Sequence, residues 1–286
     1  MLAATETAAE QGGDTGFSIL HPDIIQSHVL TRLDGPSLGS AACCCAALRY
    51  LSSDDNLWTN ICHSTWPSTK SPQLSHVISK LDGGPRAFFS QAFPLLADSN
   101  LSHPSSSPPS ELISAVDIHY KKELIFTKVQ ETETVTGWFR CSPLRIDLLE
   151  PKDVVPTSIK HPEGDDTCTD MINEMTLSWI LIDPIGRRAV NLSSFKPVAA
   201  ERHWLTGEVH VRYASIHGHV QCGVEVTCGG SEGGEMQVRE VSLQMEDMDG
   251  MHLNGKDSLV ILHGALEGKK GTGKNRVHEG QRRYKE

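Results

Sequence analysis

Apolar residues recur at helical spacing in one early stretch and alternate with polar ones in the later half, and this change of period divides the chain. Between Leu20 and Cys62, the apolar positions Ile24, Ile25, Val29, Leu30 and Leu33 fall near i, i+4 and i+8 behind Pro22, whose fixed φ suits a first helical turn. Asp34-Gly35 ends that helix, and Pro36-Ser37 restarts the chain into a second one of small residues, Ala41 to Ala47, closed by Leu48 and Leu51. Ser52-Ser53-Asp54 offers N-caps for a third helix carrying Leu57, Trp58 and Ile61. Three helices this short leave much of their surface wet, so a partner or the adjoining chain is expected to cover one face.

From His63 to Leu96 two further amphipathic pieces follow, Leu74-Val77-Ile78-Leu81 and Phe88-Phe89-Phe93-Leu96, expected to pack back on the three helices. Ser and Pro then crowd residues 99–110, the composition of a linker. Beyond it the period is two. Val116-Ile118-Tyr120 and Leu124-Phe126 alternate with polar partners, and Trp138, Leu144, Ile146 and Leu148 continue the pattern. A Pro-rich acidic loop is predicted at 150–173, then a strand pair 177–192 around Asp183-Pro184-Ile185-Gly186, and strands at 204–214, 220–228, 236–245 and 258–263. The pattern predicts an α+β chain. It comprises a lead-in at 1–16 without periodicity, a three-helix module at 17–66, a helical extension at 67–98, the linker, an antiparallel β-sandwich or barrel-like domain at 111–266, and a basic tail at 267–286.

Composition narrows the chemistry. A net charge of −10 over 286 residues argues against nucleic acid as the main partner, since backbone phosphates demand clustered Lys and Arg. The N-terminal residues carry no basic-then-apolar signal, so a reducing compartment, cytoplasm or nucleus, is expected, with the eight cysteines as free thiols. No apolar run approaches the ~20 residues of a membrane span. Cys43-Cys44-Cys45 cannot all face one ion, because consecutive helical residues point about 100° apart, and burial as small apolar side chains is expected instead. His217 and His219 lack companions that would complete a site. Residues 268–274 match the start of a phosphate-binding loop, yet Asn275 stands where a Ser or Thr must hold magnesium, and too little chain follows for the required helix. No catalytic residue, cofactor or metal is assigned.

The stretch from Leu20 to Cys62 resembles the F-box, a helical module. Pro22 stands at the family's opening proline, Val29-Leu30 and Arg32-Leu33 match its first helix, Leu38 begins its second, Cys44-Cys45 fall where Val-Cys is usual, and Leu57-Trp58 with Ile61-Cys62 match its closing LW-x-x-LC. His21 replaces the usual leucine before the proline, and Leu48 the usual tryptophan. The whole chain is similar to a group of plant F-box proteins with a β-rich C-terminal half, through GWFRCSPLRIDLL and LSWILIDPIGRRAVNLSSF.

The resemblance implies a substrate receptor of a Skp-cullin-F-box ubiquitin ligase, itself no enzyme. Leu20, Pro22, Ile25, Val29, Leu30, Leu33, Leu38, Leu57 and Trp58 would bind the Skp-type adaptor, and through it a cullin-RING ligase, while the β domain recruits a protein substrate. For the substrate, specificity is expected in loops, and 193–203 is favoured because Phe195 lies near Lys196, Arg202 and His203. The alternative is a sugar- or ligand-binding, lectin-like β-sandwich in which Trp138, Trp179, Trp204 and Tyr213 supply stacking surfaces. Their strand-like surroundings favour core packing instead.

Overall fold

A computed structural model describes residues 20–93, 107–161, 166–230 and 233–268. The 1–16 lead-in, most of the 99–110 linker and nearly all of the 267–286 tail lie outside the described residues. The chain divides after Ile61 into two compact units.

The first unit is helical. Pro22–Ile24 (α1) opens with Pro22 at its first position and with His21 capping the Asp23 amide; the chain then widens into a π turn at Ile25–Val29 and tightens into a 3-10 turn at Leu30–Arg32. Asp34 caps Gly35–Cys44 (α2), its carboxylate accepting from the Ser37 amide at 2.9 Å, and hydrogen bonding from the Ser37 side chain and then its amide holds the Asp34 pKa below the usual value. The expected single second helix is broken. Cys45 is extended, at φ −155° and ψ 167°, and its sulfur accepts from the Leu48 amide to start Ala46–Leu51 (α3). Cys43, Cys44 and Cys45 are all exposed, which corrects the expected burial: the helix ends among them, so no continuous stripe carries them inward. Asp55–Thr65 (α4) follows.

The second unit is a three-layer α+β arrangement. Its outer layer is helical, formed by a 3-10 turn at Pro67–Lys70 with Pro72–Ser79 (α5) and Gly84–Ala92 (α6). The middle layer is an antiparallel sheet in the order β2-β1-β5-β6, from Glu123–Glu133, Glu111–Tyr120, Met175–Asp183 and Arg188–Asn191. The third layer runs β3-β10-β9-β8-β7, from Arg145–Asp147, Glu235–Asp247, Val220–Gly229, Val209–His217 and Ala199–Arg202. There β4 (Val155–Lys160) also pairs with β10. Side chains alternate across the middle sheet. Val116, Ile118, Leu177, Trp179 and Leu181 enter one core with Val211, Tyr213, Val224 and Leu243 of the third layer, while Ile113, Ala115, Ile180 and Ile182 are equally buried on the opposite face.

That opposite face is covered by the 62–93 segment, and the domain boundary is corrected accordingly. The helical extension was expected to join the N-terminal helices and to be isolated by the linker, but it belongs to the β unit. Trp66 packs edge-on to Phe88 at 5.7 Å and donates its indole N–H to Ser178 Oγ at 3.2 Å. The Gln91 side chain accepts from the Ala189 amide at 2.8 Å, and Arg187 pairs with Asp82 at 2.8 Å. At the centre, Asp117 of β1 accepts from the Ser68 amide at 2.8 Å, from Ser68 Oγ and from Thr127 Oγ1 at 2.7 Å. Burial raises the Asp117 pKa against these hydrogen bonds, and it lowers that of neighbouring His119.

Because the folded carboxyl holds its proton more tightly than the unfolded one, the contribution of Asp117 to stability is fullest below the unfolded value of about 3.9 and declines as pH rises through the raised pKa. The stability difference between wild type and Asp117→Asn should therefore move against the wild type as pH rises from about 4, then level off. Urea unfolding from acid to neutral pH measures it; a pH-independent difference would contradict the assignment.

Other elements also depart from the expected pattern. Gly137–Cys141 (α7) is a helix where alternation suggested strand. The expected loop 150–173 contains β4 and Asp166–Glu174 (α8): Thr157 and Ile159 alternate inward, and Cys168 and Met171 lie one turn apart in the core, a pattern masked by the Pro and acidic residues. The 258–263 strand is helix, Gly255–Glu267 (α9). Asn254 caps it by accepting from the Asp257 amide at 2.9 Å, and Leu259, Leu262, Ala265 and Leu266 sit at i, i+3, i+6 and i+7 in the core. Gly255 is required there, since a Cβ would lie 2.0 Å from the Phe139 carbonyl oxygen.

Candidate functional site

The nine residues assigned to adaptor binding separate by burial. Ile25, Leu30, Leu38, Leu57 and Trp58 are buried, Val29 and Leu33 half-buried, and Pro22 and Leu20 exposed, the last at 41 %. Ile24, not among the nine, follows those two and is 45 % exposed. Local hydrogen bonds fix this arrangement. Gln26 reaches the Asp54 carboxylate at 2.5 Å, tying the opening turns to the start of α4, and the Trp58 indole donates to the Ser52 carbonyl at 2.7 Å. Buried members thus hold the module together, while Leu20, Pro22 and Ile24 are left exposed to solvent.

The four residues assigned to substrate recognition fall toward either end of a strand, β7. Phe195 is 41 % exposed at φ 65°, in the left-handed region, and its backbone is pinned to β5 by Leu177, whose amide donates to the Phe195 carbonyl at 2.9 Å. Lys196 Nζ donates to the Asn173 carbonyl at the end of α8. Arg202 ends β7, about 10 Å along the strand from Ala199 at ~3.3 Å per residue, and His203 follows it. The sequence pattern predicts one loop at 193–203; β7 at 199–202 splits it.

The family profile described as F-box-like matches residues 22–64. A probable F-box protein of Arabidopsis thaliana is 48 % identical over 271 residues, covering 94 % of this chain and 81 % of the relative. The chain belongs to the F-box proteins. A second F-box protein of the same plant is 43 % identical over 99 % of this chain and 82 % of its own length, and a third 42 % identical over 96 % and 86 %. No solved structure matches.

In this F-box protein the similarity therefore extends through the β unit as well as the helical module. The aromatics considered as stacking surfaces divide sharply. Trp179 and Tyr213 are fully buried, but Trp138 and Trp204 are 83 % and 87 % exposed, which corrects their expected packing in the core. Trp138 stands on α7, and Trp204, placed by alternation on a strand, occupies the turn between β7 and β8 beside Leu205, 71 % exposed. That turn is pre-organised. The His203 carbonyl accepts from Gly207 at 2.9 Å, the His203 amide donates to Glu208 at 2.7 Å, and His203 Nδ1 accepts from the Thr206 amide at 3.2 Å. The only signal in the sequence was Gly207, whose φ of 70° marks the turn.

Three of the buried thiols are poor nucleophiles. Burial pushes Cys62, Cys222 and Cys228 up to about 12, leaving them protonated at neutral pH. Among the described residues, no three His, Cys, Asp or Glu side chains are placed to hold a metal ion, and no helix is long and apolar enough to cross a membrane.

Proposed function

We propose that this F-box protein is the substrate-receptor subunit of a Skp-cullin-F-box ubiquitin ligase, acting in the cytoplasm or nucleus. The observation that carries the reading is the F-box match at 22–64, with apolar residues left exposed around its first helix, in a chain whose remainder forms a separate unit. Leu20, Pro22, Val29 and Leu33 meet the Skp-type adaptor, and Ile25, Leu30, Leu38, Leu57 and Trp58 hold that face in shape. The β unit recruits a protein substrate. Such a receptor needs no catalytic residue: it raises the effective concentration of a substrate lysine beside the charged ubiquitin carrier.

Phe195 with Lys196 at one end of β7, and Arg202, His203, Trp204 and Leu205 at the other, form the candidate substrate surface. Aromatic and basic groups together supply apolar contact and charge-assisted hydrogen bonds. Because Trp204 and Leu205 are exposed, Trp204→Ala with Leu205→Ala should change unfolding free energy by less than about 0.5 kcal/mol. The same variant should lengthen the half-life of proteins that co-purify with the receptor. Unchanged half-lives would remove this turn from the substrate surface.

The lectin-like reading is favoured only by the exposure of Trp138 and Trp204, and immobilised-glycan binding lost in their Ala variants would support it. Affinity purification with and without residues 17–61 under proteasome inhibition tests the main reading. Adaptor and cullin should be recovered only with 17–61 present, and substrates in both cases. Cullin recovered without residues 17–61, or never recovered, overturns it.

A further inference from the structure

The middle sheet ends in a long open edge. Among the described residues, β2 is paired with β1 alone, from Glu123 to Glu133 with a bulge at Ile125, so the backbone N–H and C=O groups on its other side have no strand partner. Natural sheets usually shorten, bulge or cover such an edge. This one is bulged at Ile125 but stays long, and it borders a groove. A cavity of about 690 Å³ is lined by Leu124, Ile125 and Phe126 of β2 on one side and by Leu149, Val154 and Val155 on the other. Leu124 and Val154 are 42 % and 48 % exposed there. A second cavity, of about 810 Å³, shares Lys128 and Leu149 with the first and continues past Gln130 to Glu208 and His210, just beyond the Trp204 turn.

Charge picks out one position in this groove. Lys152 pairs with Glu150 at 3.1 Å, Arg145 with Asp147 at 2.7 Å, and Arg239 with Glu208 at 2.9 Å. Lys128, half-buried where the two cavities meet, has no ion pair among the described residues. Asp153 lines only the first cavity. An acid is thus wanted at the junction, with apolar groups to one side of it. A backbone running beside the edge from Glu123 to Gln130 covers about 23 Å, enough for seven or eight extended residues.

We infer that the open edge of β2 and the groove beside it bind an extended segment of the protein substrate, which adds to β2 as a further strand, with apolar side chains against Leu124, Leu149 and Val155 and an acidic one against Lys128. Main-chain hydrogen bonds supply affinity in this mode, and the pockets for alternate side chains supply selectivity. The inference rests on the substrate-receptor reading and names what that reading recognises.

The test uses the full chain and two acetylated, amidated nonapeptide libraries. Both carry Val, Ile, Leu or Phe at random two residues either side of the centre; one has Glu at the centre and the other Lys. The wild type should enrich central Glu at least tenfold, Lys128→Gln should level the two libraries, and Lys128→Glu should reverse the preference. N-methylation of alternate amides in a selected peptide should cost tenfold or more in one register and little in the other, as expected when only one set of amides faces β2. No preference for central Glu in the wild type, the same preference in both Lys128 variants, or indifference to N-methylation overturns the inference. Adaptor binding by the same preparations is measured in parallel. Adaptor bound without peptide selectivity sinks the groove alone; adaptor unbound sinks the receptor reading, and peptide selectivity is then judged on its own.

Discussion

A fragment beginning at Glu111 is expected to aggregate or remain unfolded at neutral pH, whereas residues 62–268 fold and unfold cooperatively. The β-rich segment looks self-sufficient in sequence, since a Ser/Pro stretch precedes it. Its middle sheet, however, is buried on both faces, and one face is covered by residues 62–93. Removing that layer uncovers Ile113, Ile180 and Ile182, each worth about 1.5–3 kcal/mol when buried. It also strips Asp117 of both hydrogen bonds from Ser68. The sum rivals the entire 5–15 kcal/mol or so by which a typical domain is stable. The same cut injures the other piece, because Trp66, Phe88 and Phe89 are left without their sheet in a 1–98 fragment. Circular dichroism and urea titration of the two fragments decide the matter. A cooperatively folding 111–268 fragment would show that the helical layer is dispensable.

Pro22→Ala combined with Val29→Asp is expected to weaken adaptor binding at least a hundredfold. Pro22 presets the first helical turn, and the new carboxylate is placed on the half-buried apolar side of the opening helix, at a cost of several kcal/mol if left unpaired. Val29 is partly internal, so this variant alone would not separate a lost interface from a damaged module. Ile24→Asp does. Nearly half of Ile24 faces solvent, and an acid there leaves the folded module with little penalty while putting a charge among the exposed apolar residues of the opening turns. It should weaken binding at least tenfold with an unchanged thermal melt. Full affinity in Ile24→Asp would move the interface elsewhere.

Local signals in the sequence carried the F-box module and most strands. Helix starts at Pro22 and Asp54, the alternation from Val116 to Phe126, and the Asp183-Pro184-Ile185-Gly186 turn each act within a few residues. Asp183 Oδ1 accepts from the Ile185 and Gly186 amides at 3.0 and 2.8 Å, an arrangement legible from those four letters. What failed depended on distant partners. The Leu259-Val260-Ile261-Leu262 run fits strand or helix equally, and the Asn254 cap decides for helix. Whether Phe88 and Trp66 face the N-terminal helices or the sheet is a choice between two apolar surfaces that periodicity cannot rank. The candidate substrate residues suffered most, because β7 separates Phe195 from His203 while the turn after it brings out Trp204.

Titration calorimetry of a purified Skp-type adaptor into the full chain and into residues 62–268 tests the two-part account most directly. The account predicts one-to-one binding by the full chain and no heat of binding from the 62–268 unit. Adaptor binding by the 62–268 unit, or none by the full chain, would contradict it.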